Sequence, residues 1–345
     1  MLSKKNHVII FKNDAVGDLC QSLNAINNII TNNKDKKISL YLSERSKKFY
    51  FLINGANILF KKLNYNLTLF EKIKILYLLF IDQISDVYIL TPKKFYYYLP
   101  YLFRNIRFHA LCINGRNNYK RPNEYLRSFL HNFIINDRAA IYKRAHTTKL
   151  QNQLTNNIEN NLLQILPKGS EFLKSQLPSN YIYFHIKRDI VDKLSWDVNK
   201  LKLLFNELLN YYDYVIFTKD IEKSKNSNLI YQEFNIVDFK DKKKNFKKID
   251  SNIILFDNIE GEDLYYTIRN SSKILAFHGM MTNLGSIQFN KVLDLWFCDI
   301  KNYDDYKNYR NAFYEFKPVY KGYDFTIPSK DMSKTIRKIR YSLKK

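Results

Sequence analysis

The 345-residue sequence is poor in cross-linking and backbone-punctuating residues, with three cysteines, seven prolines and eight glycines. Cys20, Cys112 and Cys298 lie far apart. There is no CxxC pair and no histidine at zinc spacing, so nothing suggests a disulfide framework or a structural zinc, and a reducing compartment is expected. GxGxxG is absent, which argues against a familiar dinucleotide-binding dehydrogenase; GxxxxGK[ST] is absent too, which argues against a P-loop enzyme. No DxD stands at a strand end, which disfavours a metal-dependent transferase, and no metal is expected. The strongest apolar run, residues 73–81 with its neighbours, is too short to span a bilayer. It reads as a helix packed in a core, or as the lesser alternative one dipping into a membrane surface. The short apolar run ahead of Lys12 is too brief for a signal peptide.

Negative charge is also scarce: 33 Asp+Glu stand against 56 Lys+Arg, for a formal charge of +23. A field of that sign favours nucleic acid, phosphorylated sugars or an anionic membrane surface. Part of the surplus reflects a general bias toward Lys, Asn, Ile and Tyr. With 46% hydrophobic and 26% charged residues the chain is of globular composition and long enough for two domains.

Apolar runs alternate with helical spacing along the first part of the chain. Strands are expected at 7–12, 37–42, 57–60, 85–90 and 106–113; helices follow at 19–30, after Ser43, at 67–80, in the Lys94 region and over 124–135. A polar stretch from 136 to about 180 separates this half from a second alternation. There, strands are expected at 181–186, 214–219, 252–257, 274–277 and 292–296, with helices at 197–211, 260–271 and from Thr282. Strands interleaved with helices imply parallel sheets covered on both faces. The expected fold is α/β, two doubly wound Rossmann-type domains facing across a cleft. The first is placed at 1–170, the second at 171–328, and a basic helix or tail at 329–345.

Ligands of such sheets sit at the carboxyl ends of strands, where helix N-termini favour negative charge. KILAFHGMMTNLGSI (273–287) reads as strand, tight turn, helix, and Gly279 lets the main chain approach a phosphate. NDAVGD (13–18) is a second turn of the same design after the first strand.

Three stretches then resemble the bacterial lipopolysaccharide heptosyltransferase family. FKNDAVGDLCQSLNAI is similar to the family's opening strand, Gly-Asp loop and helix. KRDIVDKLSWDVNKLKLLFNELL resembles the segment in which a Lys stands shortly before a Trp, and ILAFHGMMTNLGSIQFNKVLDLW resembles the donor-binding turn. The resemblance implies the GT-B fold, a nucleotide-activated sugar, inversion at the anomeric carbon and no metal or other cofactor. The donor turn departs from the family: where an Asp-Ser/Thr-Gly-Pro-Met-His run is usual, this chain has Phe277-His278-Gly279-Met280-Met281-Thr282-Asn283, so the donor sugar stays open.

Carried onto this sequence, the resemblance makes Asp18 the general base, a role suited to a carboxylate at the cleft end of the first strand. Asp14 is the alternative carboxylate, and helix capping is the alternative role for Asp18. Lys12, Asn13, Asp14 and Gly17 are expected at the acceptor. Lys193, matching the family's Lys, would stabilise the leaving diphosphate, with Lys187 and Arg188 able to substitute. Donor contacts are expected from Lys187, Arg188, Thr218, His278, Gly279, Met280, Met281, Thr282 and Asn283. Trp196 is expected to pack the start of a helix. The basic segment from Lys93 to Arg121, with Lys94, Arg104, Arg107, Arg116 and Lys120, could face an acidic acceptor or simply solvent.

The expected function is an inverting, metal-independent glycosyltransferase moving a sugar, ADP-heptose being one candidate donor, onto a cell-envelope saccharide or lipid-linked acceptor of lipopolysaccharide type. The alternatives are a transferase using a Kdo, fucosyl or capsule-type donor, and a non-catalytic nucleotide or sugar-phosphate binding protein. The partners are then a nucleotide sugar, the acceptor and, peripherally, an anionic membrane; nucleic acid is disfavoured because the basic residues are dispersed and no recognised module appears. A cytoplasmic location follows, with the inner face of the cytoplasmic membrane as the peripheral site.

Overall fold

The structure is a computed structural model that describes residues 6–53, 55, 57–114, 124–137, 146–155, 166–220, 233–245, 252–288, 291–298, 303–318 and 322–344. The chain divides into two compact units, Met1–Ile165 with Ile300–Lys317, and Leu166–Asp299 with Pro318–Lys345. Residues 300–317 thus return to the first unit, a feature that a division by simple succession along the chain does not contain.

The first unit runs β1 (His7–Lys12), α1 (Val16–Thr31), β2 (Lys37–Leu42), α2 (Glu44–Lys47), β3 (Ile58–Lys62), α3 (Leu69–Ile81), β4 (Ile84–Ile89), α4 (Lys94–Leu102), β5 (Arg107–Asn114), α5 (Glu124–Arg127), β6 (Asn132–Asp137) and α6 (Thr147–Leu154). Its sheet has the order β3-β2-β1-β4-β5-β6, every described pair parallel. β1 is central and every one of its residues is buried, which is why it reads as an unbroken apolar run. α3 begins with a capping box: the Thr68 hydroxyl accepts from the Glu71 amide, and the Glu71 carboxylate accepts from the Thr68 amide. α1 starts at Val16, earlier than its apolar spacing suggests, so Asp18 lies inside its first turn and Ala15 is the cap.

The segment 124–135 is not one helix. Only Glu124–Arg127 is helical, and Asn132–Asp137 forms β6, paired in parallel with β5. Tyr125, Phe129 and Phe133 imitate helical spacing, but the β-branched pair Ile134-Ile135 suits a strand, and 132–137 alternates more and less covered residues along β5 as a sheet-edge strand does.

The second unit runs α7 (Glu171–Lys174), β7 (Tyr181–Ile186), α8 (Arg188–Leu194), α9 (Val198–Leu209), β8 (Tyr214–Lys219), β9 (Asn235–Asp238), β10 (Lys243–Asn245), β11 (Ile253–Asp257), α10 (Gly261–Asn270), β12 (Lys273–Phe277), α11 (Met280–Gln288) and β13 (Val292–Leu295). After α12 (Tyr303–Phe316), which belongs to the first unit, come β14 (Tyr323–Thr326) and the basic helix α13 (Met332–Leu343). The sheet order is β10-β9-β11-β8-β7-β12-β13-β14, parallel except for the β9–β10 pair. Phe184, Phe205, Phe217, Phe234, Phe277 and Trp196 form an aromatic core beneath it. Trp196 packs on Phe277 and donates its indole N–H to the Ser329 carbonyl at 2.9 Å.

Polar groups join the end of α12 to the first unit. The Gln21 amide donates to the Phe316 carbonyl at 3.1 Å, the Asn136 amide to Glu315 Oε1 at 3.0 Å, and His146 Nε2 meets the Lys317 carbonyl. Glu315 is fully buried at this contact.

Candidate active site

In the first unit, the carboxyl ends of β1 and β4 and the first turn of α1 meet around a cavity of about 610 Å³. That volume falls within the range of small-molecule sites. Lys12, Asp14 and Asp18 line it from the β1 side, and Thr91 and Lys93 from the β4 side. Lys12, only 2% exposed, donates to Asp14 Oδ2 at 2.7 Å, and Thr91 donates to the same oxygen at 3.0 Å. The Asp14 main-chain carbonyl accepts from the hydroxyls of Ser43 and Ser46, both at 2.7 Å, so the loop is tied to the start of α2. Burial pushes the Asp14 carboxyl above the usual range; Lys12 pulls it back and the Asp18 charge adds to the rise. Asp14 Oδ1 is buried without a hydrogen-bond partner.

Asp18 differs. It is half-buried at the cavity, and among the described residues its carboxylate makes no hydrogen bond or ion pair; only its main-chain carbonyl is used, by Ser22. Gly17 precedes it in the same half-buried helical turn. Asn13 is fully buried and serves the scaffold, donating to the Asn64 carbonyl at 2.7 Å and accepting from the Tyr96 hydroxyl at 2.9 Å. Lys72, Lys93 and Lys94 add positive charge to the cavity wall. From the basic segment, then, Lys93 and Lys94 reach this cavity. Arg107 instead pairs with Asp86 at 2.9 Å, Arg104 lies over the Tyr101 and Phe129 rings, and Arg116 and Lys120 are outside the described residues.

In the second unit, β12 ends at Phe277 and α11 starts at Met280, with His278 and Gly279 between. Gly279 has φ +153°, a conformation that side-chain-bearing residues rarely adopt, and the atom nearest to a hypothetical Cβ there is Lys187 Nζ at 3.8 Å. Lys187 also donates to the His278 carbonyl at 3.4 Å. The first turn of α11 therefore presents backbone N–H groups beside the Lys187 ammonium. The amides of Met280, Met281 and Thr282 have no acceptor within the helix by its geometry.

The side chains of this turn are mostly committed. Thr282 donates to the Gly279 carbonyl at 2.9 Å and accepts from the Gly279 amide at 3.1 Å; Asn283 donates to the same carbonyl at 2.8 Å. Both are buried, as is Met281, whose sulfur accepts from Tyr183. Met280 is half-buried. His278 Nδ1 meets the fully buried Asp294 at 2.7 Å, Tyr323 donates to the same oxygen at 2.7 Å, and the His278 ring lies against Trp296, just past β13.

Thr218 is buried between Tyr183 and His185, 2.8 Å from His185 Nδ1. Arg188 opens α8, its amide donating to Asp220 and its Nε to Asp192, while its buried Nη1 has no partner. Lys193 stands in the last turn of α8, 59% exposed and 3.9 Å from Asp189. The structure brings Lys187 to the glycine turn and turns Lys193 toward solvent. Asp294 and Tyr323, which fix His278, were missed by sequence reasoning, although Asp294 stands out as a charge inside the apolar run VLDL. Among the described residues no group of three or more His, Cys, Asp or Glu side chains is placed to hold a metal ion.

No protein-family model matches the chain, and no curated protein sequence matches it. Solved structures do. The ADP-heptose lipopolysaccharide heptosyltransferase II of E. coli aligns at TM-score 0.66 with 12% identity, covering 98% of each chain. A glycosyl transferase family 9 protein of Veillonella parvula aligns at TM-score 0.63 with 10% identity, covering 100% of this chain and 91% of the other. A UDP-GlcNAc 2-epimerase of Methanocaldococcus jannaschii aligns at TM-score 0.56 with 14% identity, covering 99% and 93%. At such identities the likeness establishes the fold: the chain has the GT-B fold, as the sequence resemblance led one to expect.

Proposed function

We propose that the protein is a nucleotide-sugar glycosyltransferase of the inverting, metal-independent kind. The observation that carries the reading is the Asp18 carboxylate, without a hydrogen bond or ion pair among the described residues, at the cavity that also holds the buried Lys12–Asp14 pair. A carboxylate so placed is available to remove the proton of an acceptor hydroxyl as that oxygen attacks the anomeric carbon. Departure of the nucleoside diphosphate builds negative charge, which Lys187 and the first-turn amides of α11 are suited to stabilise. One displacement by the acceptor oxygen inverts the anomeric centre. Asp14 orients Lys12 and the loop, and His278, braced by Asp294, is available to the diphosphate through its other ring nitrogen. The solved heptosyltransferases make ADP-heptose the first donor to try, and a saccharide or lipid-linked acceptor the first acceptor class. The altered donor turn leaves Kdo, fucosyl and capsule-type donors as rivals.

Because an epimerase shares the fold, architecture alone does not choose the reaction. Thermal-shift measurements against ADP, GDP, UDP and CMP come first, since the stabilising nucleotide narrows the donor. Turnover of matching nucleotide sugars is then followed with and without saccharide acceptors, in the presence of a chelator. Acceptor-dependent nucleotide release that survives chelation supports the transferase; acceptor-independent isomerisation, or binding with no turnover, would overturn it.

A further inference from the structure

Helix α3 is apolar on two sides, and the fold uses one of them. Ile75 and Leu79 are buried in the first-unit core. Leu69, Phe70, Ile73, Tyr77, Phe80 and Ile81 are exposed, Phe80 to 82% and Phe70 to 74%. At about 100° per residue these six positions fall within an arc of roughly 120°, so they form one stripe along the helix. Isolated exposed apolar side chains are ordinary, whereas a contiguous stripe marks an interaction surface.

The charge around the stripe is of one sign on its outer side. Lys74 is exposed at its edge. Lys61 lies close enough to Lys37 and Lys74 to feel both: burial first, then Lys37 and to a smaller degree Lys74, pull its ammonium below the usual value, with Asp82 opposing. The acidic groups of the helix are turned to internal work. Glu71 is held by the amides of Asn64 and Thr68, and Asp82 pairs with His7 at 3.2 Å.

Three occupants of such a stripe can be weighed. A second copy would set the same lysines, on chains of charge +23, against each other across a self-complementary contact. Single-stranded nucleic acid stacks on aromatic faces, and Leu69, Ile73 and Ile81 offer none. A lipid surface suits all the parts: aliphatic side chains and phenylalanines among acyl chains, Tyr77 at the headgroup level, and lysines at anionic phosphates.

We propose that α3 docks the protein peripherally on an anionic bilayer, with the Leu69-to-Ile81 stripe seated in the interface and Lys37, Lys61 and Lys74 meeting the headgroups. Tyr65, Asn66 and Leu67, just ahead of the helix, together with Lys72 on it, line the cavity that holds Asp18. On the transferase reading, a lipid-linked acceptor would therefore reach that cavity from the docked surface. The docking itself does not depend on that reading.

The test uses the full chain and phosphatidylcholine vesicles with and without phosphatidylglycerol. Co-sedimentation is expected with the anionic vesicles, weakening as salt rises. The double substitution Phe70→Ser and Phe80→Ser is expected to lower partitioning roughly ten-fold or more, given the apolar area removed. It should leave the unfolding temperature unchanged, because neither ring is in the core. Phe80→Trp should show blue-shifted emission on addition of anionic vesicles. Wild-type-like vesicle binding by the double variant, or Trp emission unmoved by vesicles, overturns the proposal. So does a wild-type dimer that the double substitution dissociates while vesicle binding stays absent. None of these readouts uses a substrate, so failure here leaves the transferase reading standing.

Discussion

Replacing Asp18 and Asp14 one at a time by Asn separates chemistry from scaffolding. The Asp18 carboxylate makes no hydrogen bond or ion pair among the described residues, so Asp18→Asn removes charge and little else. Its stability cost is expected within about 0.5 kcal/mol of zero. Losing a general base costs roughly 10²–10⁴ in rate, or about 2.7–5.4 kcal/mol of barrier. Asp14→Asn acts on the fold instead. It leaves the Lys12 ammonium, 2% exposed, without the carboxylate 2.7 Å away, and it weakens the Thr91 contact. Removing one partner of a buried pair costs about 3–5 kcal/mol. For a unit of this size, that is a drop of roughly 6–20 °C in unfolding temperature.

The assay is acceptor-dependent release of nucleoside diphosphate, run well below the unfolding temperature of either variant and paired with calorimetry. The expected pattern is an Asp18 variant that is stable and slow and an Asp14 variant that is thermally weak. An Asp18→Asn protein turning over within about three-fold of wild type would refute the assignment of the base. If Asp14→Asn were then the slow one at unchanged stability, the buried carboxylate with its unpaired Oδ1 would take the role.

Three further outcomes are expected. Lys187→Ala should lower kcat by about 10²–10³, as loss of a leaving-group donor does, while Lys193→Ala stays within about two-fold because its exposed pair with Asp189 is worth little; equal effects on nucleotide release would overturn the choice of Lys187. Gly279→Ala has room for the methyl group but not the backbone conformation, so it should destabilise by about 1–3 kcal/mol and weaken nucleotide binding, and an unchanged denaturation midpoint would count against it. Burial works against the Asp86 charge, but hydrogen bonds from His109, Arg107 and Ser85 hold its carboxyl well below the usual range. Because the folded value is depressed, this stabilisation is present above the unfolded carboxyl pKa and is lost as pH falls toward the folded one. Asp86→Asn should therefore cost about 3 kcal/mol at neutral pH, with the gap to wild type closing in urea titrations between about pH 5 and 2; a gap that stays constant would refute it.

What was legible in the sequence follows from what each element buries. β1, β7 and β12 are covered on both faces and so write continuous apolar runs, VIIF, YIYF and ILAF, that name themselves as parallel strands. β6, at an edge with one described neighbour, carries no such run, and its aromatic spacing reads as a helix. α12, YDDYKNYRNAFYEF, is written largely in tyrosine and charge without the branched aliphatic residues that mark the other packed helices, and it buries a charged residue, Glu315, against Asn136. The site divides along the same line. That residues 12–18 and the Gly279 turn stand at the carboxyl ends of strands could be read from the apolar runs and a glycine, since both are properties of local backbone. Which lysine lies beside that turn could not. Lys187 and Lys193 are separated by α8, a short helix whose rotation depends on Val191 and Leu194 entering the aromatic core, and that rotation directs one ammonium to the His278 carbonyl and the other to water. The Lys-before-Trp spacing is blind to which positions of that helix are buried, and so it does not say which of the two ammoniums lies beside Gly279.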